Sequence, residues 1–119
     1  MVAEAGSVVG WAGISPISPR PVYRGVGEVS IYVAHGMQGK GIGRALLDAI
    51  VARSEQAGYW TLIAQIFPEN EGSIALHRRC GFRSLGRRER LGRMTYGPLK
   101  DRWRDVIFFE RRSNAVGLE

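Results

Sequence analysis

The residues best placed to do chemistry form one short run, Gln38-Gly39-Lys40-Gly41-Ile42-Gly43-Arg44, with a glycine at every second position. It follows the β-branched stretch Val29-Ser30-Ile31-Tyr32-Val33 and leads directly into Ala45-Leu46-Leu47-Asp48-Ala49-Ile50-Val51, so it reads as a loop between a strand and a helix. Glycines lack a Cβ, which lets the main chain turn sharply and a ligand approach its amides closely. The first N–H groups of the helix have no internal acceptor, and the helix dipole adds partial positive charge at that end. An anion, most naturally a phosphate or pyrophosphate, would satisfy both. Two familiar nucleotide motifs do not fit. A P-loop needs Ser or Thr after its Gly-Lys, and Gly41 follows Lys40. A dinucleotide fingerprint needs a glycine where Arg44 sits and an acidic residue about 20 positions on, where Tyr59 to Ile63 offers none.

The elements that must position this loop can be read from spacing. Residues 2 to 14 form a two-strand hairpin broken around Glu4-Ala5-Gly6-Ser7, and the proline-rich Ser15 to Pro21 is an ordered loop at its end. Glu28 to Ala34 is the next strand, with Val29, Ile31 and Val33 on a buried face and Glu28, Ser30 and Tyr32 on the other. In the following helix Ile42, Leu46 and Ile50 line up beside Ala45 and Ala49, and Gly58 caps the C-terminus. Trp60 to Phe67 is almost continuously apolar, as a strand covered on both faces would be. Strand, helix and strand make a right-handed parallel crossover. Pro68-Glu69-Asn70 is a turn, Ser73 to Cys80 a short helix stopped by Gly81, and two antiparallel strands follow at about 82–90 and 103–111, linked through Gly92, Gly97 and Pro98. The tail, Ser113 to Glu119, is expected to fray.

Composition sets the outer limits. The chain has 119 residues, 45% hydrophobic and 24% charged, which suits one globular domain with a modest core. No run approaches the ~18 apolar residues that span a bilayer, and no charged and apolar leader opens the chain, so a cytoplasmic protein without a membrane partner is expected. The single cysteine, Cys80, can form neither an internal disulfide nor a metal cluster, and no metal is expected. Seventeen Lys+Arg against 11 Asp+Glu give +6, much of it in Arg78–Arg93 and Arg102–Arg112. Such clusters suit nucleic acid, a polyanionic cofactor or a solvated face; no nucleic-acid motif accompanies them, so no nucleic-acid partner is expected.

Gln38-x-x-Gly-x-Gly between strand and helix, followed by Pro68-Glu69-Asn70, Ser73, Leu76 and Cys80-Gly81-Phe82, resembles the GNAT superfamily of acetyl-CoA-dependent N-acetyltransferases. The resemblance covers nearly the whole chain. Gly10-Trp11-Ala12, the Ser15 to Tyr23 loop, Glu28 to Val33, Pro68-Glu69-Asn70 and Trp103-Arg104-Asp105-Val106 are most similar to the phosphinothricin and methionine sulfone N-acetyltransferase group. It implies an α/β fold of the α+β type over residues 1–112, a mixed, mostly antiparallel sheet with one parallel βαβ crossover. The implied reaction moves acetyl from acetyl-CoA, as co-substrate, to the amino group of a small amino-acid-like molecule; the alternative is a degenerate member that binds coenzyme A without turnover.

Carried onto this chain, the resemblance implies that main-chain groups of Ile31, Tyr32 and Val33 meet the acetyl and pantetheine arm. Gln38, Gly39, Lys40, Gly41, Ile42, Gly43 and Arg44 would surround the pyrophosphate, and Asn70 would reach the arm from the next turn. Physical reasoning agrees, since unpaired N–H and C=O groups beside a splayed strand can pair with an amide-bearing arm. N-acetylation needs a neutral amine, an oriented thioester, oxyanion stabilisation and a proton for the departing thiolate. Glu28 occupies the position of the base, acting through water, or is a solvated strand-end carboxylate. His77 matches a tyrosine that serves many relatives as thiolate acid, or is a surface helix residue. Arg20 and Tyr23 lie in the loop placed beside the acceptor, where Arg20 could clamp a carboxylate. Cys80 and Trp103 read as packing, Asp105 as an orienting group, and His35 has no evident partner.

Two departures stand out. Relatives begin with a strand and two helices ahead of the hairpin, and this sequence starts at the hairpin; an apolar face and an unpaired edge are expected to favour self-association as a homodimer. The linker Thr95 to Lys100 is also longer than the subgroup usually has.

Overall fold

A computed structural model describes residues 2–4 by backbone and 8–119 throughout, and it forms a six-stranded sheet with two helices. The elements are β1 (Val2–Glu4), β2 (Val8–Pro16), a 3₁₀ turn (Pro21–Tyr23), β3 (Val26–Val33), α1 (Ile42–Gln56), β4 (Thr61–Ile66), α2 (Glu71–Arg79), β5 (Arg83–Arg93) and β6 (Trp103–Arg112). The spatial order is β1-β2-β3-β4-β6-β5, antiparallel everywhere except between β3 and β4, as the spacing of one helix between two strands requires. Residues 5–7, part of the expected first turn, lie outside the described residues.

α1 buries Leu46, Leu47, Ile50, Val51 and Ser54 against Ala12, Val29, Leu62, Ala64, Ile66 and Phe109 from one sheet face. The buried stripe therefore runs through Leu47 and Val51 rather than Ala45, which is exposed. Ser54 is tolerated there because its hydroxyl donates to the Val51 carbonyl at 2.6 Å. α2 adds Ile74, Leu76 and Cys80 to the same cluster, so both helices cover one face. This corrects the reading of β4 as covered on both sides. Leu62, Ala64 and Ile66 are buried while Gln65 is exposed and Thr61 and Ile63 are half-buried, the alternation of a strand with one covered face.

β5 and β6 run longer than the sequence suggests. Bulges between Ser84 and Gly86 and between Arg88 and Gly92 let the pairing continue to Arg93 opposite Trp103, past Gly92. The second bulge places Arg90 at φ +50°. Asp105 holds it, accepting from the Arg90 amide at 2.8 Å and from Arg87 Nε at 2.7 Å. Trp103, expected to pack, is 54% exposed on this arm.

The expected loose tail is instead tied down. Arg112 donates to the carbonyls of Trp60, Ser113, Val116 and Gly117, and the buried Ser113 hydroxyl bonds the Glu55 carboxylate. Much of the late basic charge is likewise engaged within the chain: Arg83 with Glu110, Arg87 with Asp105, Arg93 with Asp101, Arg104 with Glu69 and Arg111 with Glu55. No helix among the described residues is long and apolar enough to cross a membrane.

Candidate functional site

The parallel ladder between β3 and β4 lasts three residues, Val26 to Glu28 opposite Thr61 to Ile63, and then the strands part. Beyond the fork β3 continues through Val33 paired only to β2, which leaves one edge of Ile31 to Val33 without a strand partner among the described residues. A cavity of about 520 Å³ opens beside that edge. Ile31, Tyr32 and Val33 form one wall; Gln38, Gly39, Gly41, Gly43 and Arg44 form its base; Asn70, Gly72, Ser73, Leu76 and Arg79 of α2 and its leading turn form the other.

Gly39 and Gly41 sit at φ +79°, where a side chain is strained, and Gly41 serves as the N-terminal cap of α1 with no side-chain partner. The first backbone bond of the helix runs from the Ala45 amide to the Gly41 carbonyl at 3.0 Å, so the amides of Ile42, Gly43 and Arg44 precede it without an acceptor inside the helix. Gln38 fastens the loop. Its amide oxygen accepts from the Gly36 N–H at 2.9 Å and its nitrogen reaches the Val33 carbonyl at 3.4 Å. Gly43 matters for a different reason: a Cβ there would stand 3.1 Å from Leu76 Cδ2, so its absence lets the two helices close around the cavity. This cradle, with open space over Gly39 and Gly41 and amides aimed along the helix axis, fits a pyrophosphate.

The expected residues are distributed unevenly. Ile31, Tyr32, Val33, Gln38, Gly39, Gly41, Gly43, Arg44 and Asn70 all line the cavity, whereas Lys40 and Ile42 belong to the loop without lining it. Asn70 has a function the sequence reading missed. Its Oδ1 accepts from the Ser73 N–H at 3.1 Å and caps α2, which begins at Glu71, two residues earlier than expected. An Asn followed three residues later by an amide donor at a helix start was the available signal.

Glu28 does not line the cavity but stands at the fork, where Gln65 Nε2 donates to its carboxylate. At ~3.3 Å per residue it lies roughly 10 Å along the strand from Ile31. Arg20 and Tyr23 sit in the exposed turn before β3, at its far end from the glycine loop, so the structure does not bring them to the cavity.

The reading of His77 as a surface helix residue is corrected. The residue is 2% exposed, meets Phe82 edge-on with ring centroids 5.1 Å apart, and lies behind the cavity wall rather than on it. The Ser73 carbonyl, 2.8 Å from Nδ1, can only accept, which places the ring proton on Nδ1. Burial lowers the imidazole pKa below its ordinary 6.5, partly offset by that bond. Its ring N–H is engaged by the Ser73 carbonyl, and His77 is not among the residues that line the cavity. The Cys80 thiol is pushed up to about 11, away from the reactive thiolate, by partial burial and by donation to Asp48 Oδ1 at 3.4 Å.

The pattern that defines the acetyltransferase (GNAT) family matches residues 1–82. Over 106 residues the chain is 37% identical to an L-methionine sulfoximine/L-methionine sulfone acetyltransferase of Pseudomonas paraeruginosa, covering 89% of this chain and 59% of that protein. It is 36% identical over 117 residues to the phosphinothricin N-acetyltransferase of Alcaligenes faecalis, covering 97% and 57%. A GNAT superfamily phosphinothricin acetyltransferase from Sinorhizobium meliloti, solved in complex with AcCoA, superposes with a TM-score of 0.83 at 36% identity, over 99% of this chain and 61% of that one. The chain thus spans about three fifths of the length of the curated relatives it matches. The matched residues take in the glycine cradle, the three-residue parallel ladder and the forked strands, and the chain belongs to the GNAT family of acetyltransferases.

Proposed function

We propose that the protein is an acetyl-CoA-dependent N-acetyltransferase acting on the amino group of a small amino-acid-like molecule of the phosphinothricin or methionine sulfone type. The observation that carries this reading is the fork: a parallel ladder that stops at Glu28 and Ile63 and leaves the edge of Ile31 to Val33 open toward an anion cradle. The arm of the co-substrate would pair with that edge as an added strand, with its pyrophosphate on the amides of Ile42, Gly43 and Arg44. Asn70 Nδ2, free of the capping bond, is the donor available from the opposite wall. The thioester supplies the activated acyl carbon. Glu28, oriented by Gln65, would take a proton from the incoming ammonium through a water; the freed nitrogen lone pair forms the new C–N bond as the C–S bond breaks, and the proton that this nitrogen sheds on becoming an amide passes to the departing thiolate, which leaves as the thiol. Arg20 and Tyr23 would meet the acceptor from the far end of the fork, Arg20 by its two-pronged fit to a carboxylate.

Acetyl transfer to a panel of amino acids and sulfone analogues tests the reading. Wild type should turn over and Glu28→Gln should lose about 100-fold in kcat, the usual scale for a general base; equal rates would remove Glu28 from the mechanism. A second reading, coenzyme binding without turnover, is favoured by the placement of His77 away from the cavity. It predicts calorimetric binding of acetyl-CoA with no transfer to any amine. A cytoplasmic homodimer belongs to this proposal as well. It is supported by Trp11 and Tyr32, stacked with centroids 6.3 Å apart and 43% and 50% exposed on the uncovered face, and is checked by sedimentation equilibrium.

A further inference from the structure

The face of the sheet opposite the helices carries its own line of side chains across the fork. Residues alternate between faces along a strand. Ala64, Ile66 and Phe109 are buried under the helices, so Gln65 of β4 and Phe108 of β6 point the other way, and the ladder sets these two opposite each other. On one side Gln65 donates to Glu28 of β3. On the other Phe108 pairs with Gly86 of β5, which has no side chain to cover the ring. The next residue of β5 on this face is Arg88, and its guanidinium folds over Phe108 with Cζ 5.5 Å from the ring centroid. A carboxylate and a guanidinium thus flank one strip of sheet. They stand about 10 Å apart, counting a cross-strand step of about 5 Å and the distance of the arginine from the ring.

The charge of Arg88 is available. Arg83, Arg87 and Arg93 of the same strand are ion-paired with Glu110, Asp105 and Asp101, whereas Arg88 is exposed and has no acidic partner among the described residues. Glu110, the other carboxylate on this face near Phe108, is held by Arg83 at 3.1 Å. Stacking on a ring uses the flat of a guanidinium and leaves its in-plane N–H donors open to an oxyanion. Resting on the acetyl-transfer reading above, we infer that Arg88 is the specificity-determining residue of the acceptor side. It selects amines that carry an anionic group, a phosphinate or carboxylate, at the far end of the side chain over those ending in a neutral sulfone. With its nitrogen directed at Glu28, such a molecule is about 5 Å long, and a hydrogen bond of about 3 Å at each end matches it to the strip.

Initial rates of the full chain at saturating acetyl-CoA, with phosphinothricin and with methionine sulfone as acceptors, test this, because the two molecules share a shape and differ by one negative charge. Wild type should show about tenfold higher kcat/KM for phosphinothricin, in keeping with one charge-assisted contact. Arg88→Gln should accept the two about equally, with the loss lying in KM for phosphinothricin rather than in kcat, and Arg88→Lys should restore part of the preference. Arg93→Gln, at a paired arginine of the same strand, should keep it. Equal use of the two acceptors by wild type, or full preference retained by Arg88→Gln with a native circular dichroism spectrum, overturns the inference while leaving acetyl transfer intact. An equal loss on both acceptors in Arg88→Gln overturns it too, since it traces the arginine to the fold rather than to the anion. Absence of transfer to any amine by wild type overturns the acetyl-transfer reading itself.

Discussion

Replacing Gly41 by Ala separates the strength of the cradle from the stability of the fold. Gly41 has φ +79° and ψ 3°, and a Cβ built there meets nothing within 4 Å. The strain of the left-handed region is about 1–2 kcal/mol for an L side chain. Part of it is offset because Ala also stiffens the unfolded chain, by about 0.4–1 kcal/mol. The net loss of stability should therefore be about 1 kcal/mol. Coenzyme binding should suffer more, because the methyl enters the cavity and shifts amides that would hold phosphate oxygens. Each hydrogen bond to a charged group contributes about 1.5–3 kcal/mol, so losing one weakens Kd roughly 10- to 150-fold. Gly58→Ala is the control. Gly58 has φ +89° and open space around it, but it lies past the other end of α1, roughly 22 Å away. Urea denaturation should show similar losses for the two variants, and calorimetry with acetyl-CoA should show weakened binding only for Gly41→Ala. Wild-type affinity in Gly41→Ala would refute the cradle argument, and equal weakening in both variants would trace the effect to general destabilisation.

The capping role of Asn70 predicts that Asn70→Ala loses about 1 kcal/mol by denaturation, whereas Asn70→Asp keeps the cap and the stability but loses the Nδ2 donor, so weaker coenzyme binding in that variant isolates the donor's contribution. His77 has a folded pKa below its unfolded value, so the unfolded chain binds the extra proton first: stability should be complete above about pH 6.5 and fall as pH drops through the folded pKa, and urea midpoints across pH 5 to 8 should show this slope flattened in His77→Asn. Cys80, with its thiol raised to about 11, should react with maleimide or iodoacetamide far more slowly than a free thiol at pH 8, and Asp48→Asn should speed it by removing the carboxylate that disfavours the thiolate.

The sequence by itself determined the strand, glycine loop, helix and strand that frame the cavity. These depend on local properties: residues that alternate or recur every three to four positions, and glycines where only glycine takes a positive φ without strain. Gly81, as the stop of α2, could be placed for the same reason, since helix ends are set by a few neighbouring atoms; the Asn70 cap was missed. Only the tertiary structure decided the rest. Whether β4 has one covered face or two depends on which side both helices take, and an apolar run reads the same either way. His77 could be read from the sequence as a surface helix residue, but the fold buries it edge-on against Phe82 with its ring bonded to the Ser73 carbonyl. Arg104 meets Glu69 at 3.2 Å across 35 residues of chain, a pairing that no local spacing announces. The tail looked loose because its sequence has no periodicity, yet one arginine holds it through three of its carbonyls. Chemistry that depends on backbone conformation was legible residue by residue; chemistry that depends on burial and on the partner of a charge emerged only when distant segments met.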